Sequence, residues 1–106
     1  MKRMQKEVDA YISQFKEGYF PPFEMLARLQ EEVGEVAREV QQLYGMKKKK
    51  ETEEETTLQK ELGDVLFVLI SFANAEGISL DEAFDEVMEK FRTRDRDRWT
   101  KKEELE

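Results

Sequence analysis

The sequence predicts an all-α fold, a compact antiparallel four-helix bundle, on three observations. Apolar residues recur at three- and four-residue steps along most of the chain, and turn and cap signals cut it into four helix-length segments. No stretch alternates apolar and polar residues between turn residues, as a half-buried strand would. The 106 residues suit a single domain (1–106, core about 3–98) with one hydrophobic core. One copy of that size is too small to enclose a large cleft, so oligomerisation is expected.

The first helix carries Met4, Val8, Tyr11, Ile12 and Phe15 on one side and is expected to end near Gly18. Pro21 and Pro22 break the chain, and Pro22 suits the first turn of the next helix. That second helix is expected over 23–44, with an inward stripe of Leu26, Leu29, Val33, Val36, Val40 and Leu43 and a stop at Gly45. Residues 46–57 hold four lysines (Lys47 to Lys50) and then Glu51, Glu53, Glu54 and Glu55, with no apolar period. This reads as a solvated charged loop, with a lysine clamp over a ligand as the sharper alternative.

Thr56 or Thr57 caps a third helix whose Leu58, Leu62 and near-continuous run from Val65 to Ala73 make it apolar almost all round. Such a helix must be covered on every side, which makes it central and places it at a subunit interface. Gly77 ends it, and Ser79 with Glu82 forms a capping box for the fourth helix. The inward stripe there is Leu80, Ala83, Phe84, Val87, Met88 and Phe91, continued by Arg94 and Arg98; a polar tail follows over 99–106.

Composition narrows the chemistry. There is no Cys and no His, which removes disulfides, thiolate zinc sites, His-dependent triads and imidazole acid–base catalysis. A formal charge of −7 argues against duplex nucleic acid as a partner. No segment approaches the roughly 20 apolar residues of a membrane span, nor does a signal-type apolar region follow the charged start, so no membrane partner and a cytoplasmic location are expected.

Two acidic couplets remain: Glu32-Val-Gly-Glu35 in the second helix and Glu61-Leu-Gly-Asp64 at the start of the third. On an ideal helix the apolar stripe of the second helix centres between Val33 and Val36, which puts Glu32 at its edge, Glu35 further round the same side and Glu31 nearly opposite. Glu39 could join the same face. Gly34 sits mid-helix at a cost of about 1 kcal/mol against Ala, so a close neighbour is expected there. Acids near a helix start can simply complement the macrodipole, which accounts for Glu61 and Asp64 but not for mid-helix Glu32 and Glu35. Four inward carboxylates are costly unless cations neutralise them, and hard oxygen ligands suit Mg²⁺, with Mn²⁺ as a substitute. A di-iron bundle calls for Glu-x-x-His pairs that this chain lacks. A magnesium site in a small protein points to phosphate chemistry.

Residues 90–102 carry seven basic residues against two acids. Lys90 and Arg94 flank or extend the apolar stripe, placed to meet phosphate oxygens or to pair with the acids, although basic residues at a helix C-terminus are also ordinary dipole complements. Tyr19, Phe20 and Phe23 around the prolines could stack on a base, and Asn74 is a candidate substrate contact.

These residues resemble the MazG-like nucleotide pyrophosphohydrolases, a branch of the all-α NTP pyrophosphatase superfamily, in their short single-domain bacterial form. The resemblance spans roughly residues 27–94. It rests on both couplets in order, on their flanks Leu29-Gln-Glu-Glu-Val-Gly-Glu-Val-Ala37 and Glu61-Leu-Gly-Asp-Val-Leu-Phe67, on Ala73-Asn-Ala-Glu-Gly-Ile-Ser79, and on Lys90-Phe-Arg-Thr-Arg94. It implies Mg²⁺-dependent hydrolysis of nucleoside triphosphates to monophosphate and pyrophosphate, with house-cleaning of noncanonical NTPs as a hypothesis. It also implies Glu32, Glu35, Glu61 and Asp64 as catalytic metal ligands, Lys90 and Arg94 on the phosphates, and sites assembled in a homodimer or a dimer of dimers. The alternatives are a pyrophosphohydrolase acting on a phosphoribosyl nucleotide, and a non-enzymatic helical dimerisation module whose acids pair with Arg94 and Arg98.

Overall fold

The computed structural model describes residues 1–45, 57–100 and 102. Among them the chain is all-α: α1 Lys2–Ile12, α2 Pro22–Tyr44, α3 Leu58–Ala75 and α4 Leu80–Arg94. The charged segment 46–56, with Lys47 to Lys50, lies outside the described residues, as does the tail apart from Trp99, Thr100 and Lys102.

The chain's own punctuation sets the helix ends. Pro22 occupies the first turn of α2, where its missing N–H is not needed. Gly45 ends that helix because a Cβ there would stand 2.5 Å from the Gln41 carbonyl oxygen. The Thr57 hydroxyl accepts the Lys60 N–H (3.0 Å) at the start of α3, and Ser79 accepts the Glu82 N–H (3.3 Å) at the start of α4. Gly77 turns the corner between them at φ +68°, a conformation that costs glycine little. The first helix is shorter than its apolar spacing suggests. It stops at Ile12, after which three-residue turn bonds carry the chain to Gly18 at φ +64°.

α3 is the central element, packed against both α1 and α2 and supplying Val68, Ile70 and Ala73 to a core completed by Val8 and Met25. A polar staple fixes α1 to the α3–α4 corner. Gln5 donates from Nε2 to Asn74 Oδ1 and to the Ile78 carbonyl (both 2.9 Å), and its Oε1 accepts the Leu80 N–H (2.9 Å). Asn74 Nδ2 donates to the Gln5 carbonyl (2.9 Å) and to the Tyr19 hydroxyl (3.1 Å), which in turn donates to Asp9 (2.6 Å). Desolvation, reinforced by the Asp9 carboxylate, pushes the Tyr19 hydroxyl pKa up.

Two stripes expected to face inward are covered only in part in a single copy. α4 bends 105° away from α3 and buries none of its residues; Phe84, Val87 and Phe91 of its stripe are 61%, 41% and 42% exposed. On α2 the buried and half-buried residues are Met25, Leu29, Glu32, Glu35, Val36, Glu39 and Gln42, a face rotated from the apolar stripe toward the acids. Leu26, Val33 and Val40, seven residues apart, are left 43%, 51% and 40% exposed along one side. Among the described residues nothing lies within 4 Å of where a Cβ on Gly34 would stand, so none of them is the close neighbour expected there.

Candidate functional site: a carboxylate cluster between two helices

The rotation of α2 decides which acids meet. Glu32 lies near the middle of the face turned to α3, not at its edge, and Glu61 and Asp64 answer it from one turn of α3. A carboxylate oxygen from each of the three lies within 4.8 Å of the other two, with Glu61 buried and Glu32 and Asp64 half-buried. Desolvation first, and then the Asp64 charge, raise the Glu32 pKa above the ordinary glutamate range; Arg28, one turn earlier on α2, opposes the shift. Carboxylates this close to one another repel, and a cation bound among them would relieve that repulsion.

The donor set fits a small hard cation. Three carboxylate oxygens within 4.8 Å of one another are the hard ligands that Mg²⁺ would take, with Glu32, Glu61 and Asp64 as the residues that would hold it. Glu35 is not drawn into the trio. Sixty degrees further round α2, its side chain is 46% exposed and lies 3.9 Å from the Arg38 guanidinium. Glu39 is buried on the same face of α2 and Glu31 is exposed.

The other candidates lie elsewhere. Asn74 is ten residues beyond Asp64 on the same helix, about 15 Å along the axis, with its amide engaged by Gln5 and Tyr19. Lys90 and Arg94 are on α4, which leaves the far end of α3 nearly at right angles, so the chain does not bring them to its own carboxylate cluster. Arg94 pairs with Asp95 (Nε to Oδ1, 3.1 Å), and that guanidinium holds the Asp95 carboxyl below its usual range. Both Lys90 and Arg94 stack over the Phe91 ring, 5.1 Å from its centroid.

Arg28 is the residue that motif reading passes over. Its spacing was the available signal, since a cation four residues before Glu32 falls on the same helix face. It lines a cavity of about 400 Å³ with residues of α1, Met25, and Val68 and Ser71 of α3. Met25 and Arg28 thus face Val68 and Ser71, while Glu32 faces Asp64 and Glu61: positions rise along α2 as they fall along α3, and the cavity adjoins the carboxylates.

A family model described as the MazG nucleotide pyrophosphohydrolase domain matches residues 20–99, which includes all four acids. Protein YpjD of Bacillus subtilis (strain 168) is 62% identical over 104 residues, covering 98% of this chain and 94% of its own. The crystal structure of YPJD from Bacillus subtilis superposes with a TM-score of 0.78 at 60% identity, over 87% of this chain and 94% of that one. The crystal structure of the Bacillus-conserved MazG protein, a nucleotide pyrophosphohydrolase, does so at 0.76 and 58% identity, over 91% and 93%. Among the described residues no single helix is long and apolar enough to cross a membrane. The chain belongs to the MazG nucleotide pyrophosphohydrolase family, enzymes of pyrophosphate-releasing hydrolysis on nucleotide substrates.

Proposed function

We propose that this enzyme hydrolyses nucleoside triphosphates to the monophosphate and pyrophosphate, using Mg²⁺ held by Glu32, Glu61 and Asp64. The observation that carries the reading is the trio of carboxylates from two packed helices, their oxygens within 4.8 Å of one another. Mg²⁺ bound there supplies charge neutralisation for the triphosphate and makes water a better nucleophile near neutral pH. Two rigid helices hold the three ligands, which keeps their spacing fixed as substrate enters. Glu35, at the rim, completes the set by turning away from Arg38.

The reading includes a second copy of the chain. Leu26, Val33 and Val40 with Leu29, Val36 and Leu43 repeat at alternating three- and four-residue steps, the pattern of a coiled-coil seam. One side of that seam is exposed, as is the apolar face of α4. The radius of gyration, 18.2 Å, exceeds the roughly 13 Å of a compact domain this size. A homodimer, or a dimer of dimers, would cover these faces. It would also let α4 of one copy carry Lys90 and Arg94 to the carboxylates of another, where they neutralise phosphate charge.

The test is product analysis on a panel of ordinary and modified NTPs with Mg²⁺, separating pyrophosphate from phosphate. Monophosphate and pyrophosphate from the wild type, lost in Asp64→Asn and without Mg²⁺, is the expected result. Faster turnover of oxidised or deaminated NTPs than of ordinary ones would add the house-cleaning role. Inorganic phosphate as the released product, or activity that survives Asp64→Asn, would overturn the proposal.

A further inference from the structure

We infer that the cavity beside the carboxylates, walled by Tyr11, Phe15, Phe20 and Phe67 with Arg28 and Glu17 at its rim, is the nucleobase site, and that it selects a guanine-type 6-oxopurine. The inference rests on the carboxylate cluster being where the phosphates are held. Arg28 is one turn from Glu32 and Phe67 one turn from Asp64, so a nucleotide with its phosphates on the acids has its base within reach of this cavity.

The walls suit a flat aromatic ligand. Four aromatic side chains from α1, the turn after it and α3 are 41–54% exposed, where a small domain would ordinarily bury them. They are held at angles: Tyr11 and Phe15 stand 5.3 Å apart at 69°, Tyr11 and Phe67 6.3 Å apart at 75°. Rings standing edge to face leave ring faces available to a planar guest, and every base has a face to stack. The cavity's volume, about 400 Å³, lies in the range of small-molecule sites.

The polar rim gives the selectivity. Arg28, its guanidinium 6.0 Å from the Phe20 ring centroid, offers only donors, whereas Glu17 offers only acceptors. Guanine presents O6 and N7 as adjacent acceptors, which an Arg fork meets with two bonds, and N1–H and the 2-amino group as donors for a carboxylate. Adenine offers a donor at the 6 position and cannot satisfy the fork; pyrimidines lack the N7 acceptor.

The experiment is steady-state kinetics on GTP, ITP, ATP, CTP and UTP with Mg²⁺, for the wild type, Arg28→Met and Phe20→Ala, together with calorimetric titration of GMP and AMP in EDTA. Both substituted side chains are exposed, and far-UV circular dichroism verifies their helix content. The expected preference for GTP over ATP in kcat/KM is about tenfold or more, the worth of one bidentate contact. Arg28→Met should erase it through a KM rise confined to GTP and ITP, and Phe20→Ala should raise KM for every base. Were Arg28 acting only by its charge on Glu32, its loss would change turnover of all bases alike and shift the pH profile. That result, or equal kcat/KM for all bases, would overturn the inference. Should no nucleotide be hydrolysed, the reaction assigned to the acids fails by itself; GMP binding that exceeds AMP binding and falls in Arg28→Met still supports the base site, and equal or absent binding overturns it.

Discussion

Replacing Glu32 by Gln should make the metal-free protein more stable and unable to gain from Mg²⁺. The substitution keeps the size of the side chain and removes one of three negative charges whose oxygens lie within 4.8 Å of each other. At that separation one pair repels by about 0.9 kcal/mol in water and about 3.5 kcal/mol at an effective dielectric constant of 20. Glu32 and Asp64 are half-buried and Arg28 offsets part of the repulsion, so the lower figure is the better guide. About 1 kcal/mol should raise the melting temperature in EDTA by roughly 4–8 °C for a domain this size. The wild type, by contrast, should gain on Mg²⁺ addition, by about 2.7 kcal/mol at a hundred times the dissociation constant, and Glu32→Gln should gain little. Differential scanning calorimetry with EDTA and then with Mg²⁺ reads both effects. A variant less stable than the wild type in EDTA, with an undiminished Mg²⁺ shift, would refute the reasoning.

The same cluster gives stability a pH dependence of known sign. The Glu32 pKa is raised in the folded state, so the folded protein holds its proton more tightly, and this stabilisation is lost as pH rises from about 4.3, the ordinary glutamate value, through the raised value. In EDTA the melting-temperature advantage of Glu32→Gln should therefore widen between pH 4 and pH 7; a constant difference would contradict the shift. Val33→Glu puts a charge on the exposed seam of α2 and should shift the assembly toward monomer in sedimentation velocity, with helix content retained; an unchanged sedimentation coefficient would remove α2 from the interface. Asn74→Ala leaves Gln5 and Tyr19 without their shared partner and should cost about 1–3 kcal/mol in urea unfolding. If it left stability untouched and instead raised KM, Asn74 would be a substrate contact and not a staple.

Much of the fold was legible because its signals are local. Pro22, Gly45, Thr57, Gly77 and Ser79 act within a turn of where they stand, and each marks a helix end in the structure. The acids were legible for a related reason, since a three-residue step puts both members of a couplet on one side of a helix. What periodicity lacks is the identity of the neighbour. It shows that α4 has an apolar face but not that the face is left open in a single copy, and it locates the stripe of α2 but not the rotation toward Glu32 imposed by packing on α3. That rotation is what separates Glu32 from Glu35. Phe20 beside the prolines and Arg28 one turn before Glu32 are visible as local signals, but the cavity they share is not, because it comes from three elements brought together.

The most direct test of the central claim is to grow crystals with Mn²⁺ and collect anomalous diffraction. The account predicts a peak within coordinating distance of Glu32, Glu61 and Asp64, lost in Asp64→Asn. An ordered crystal at millimolar Mn²⁺ with no peak there, or with the ion bound at other residues, would contradict it.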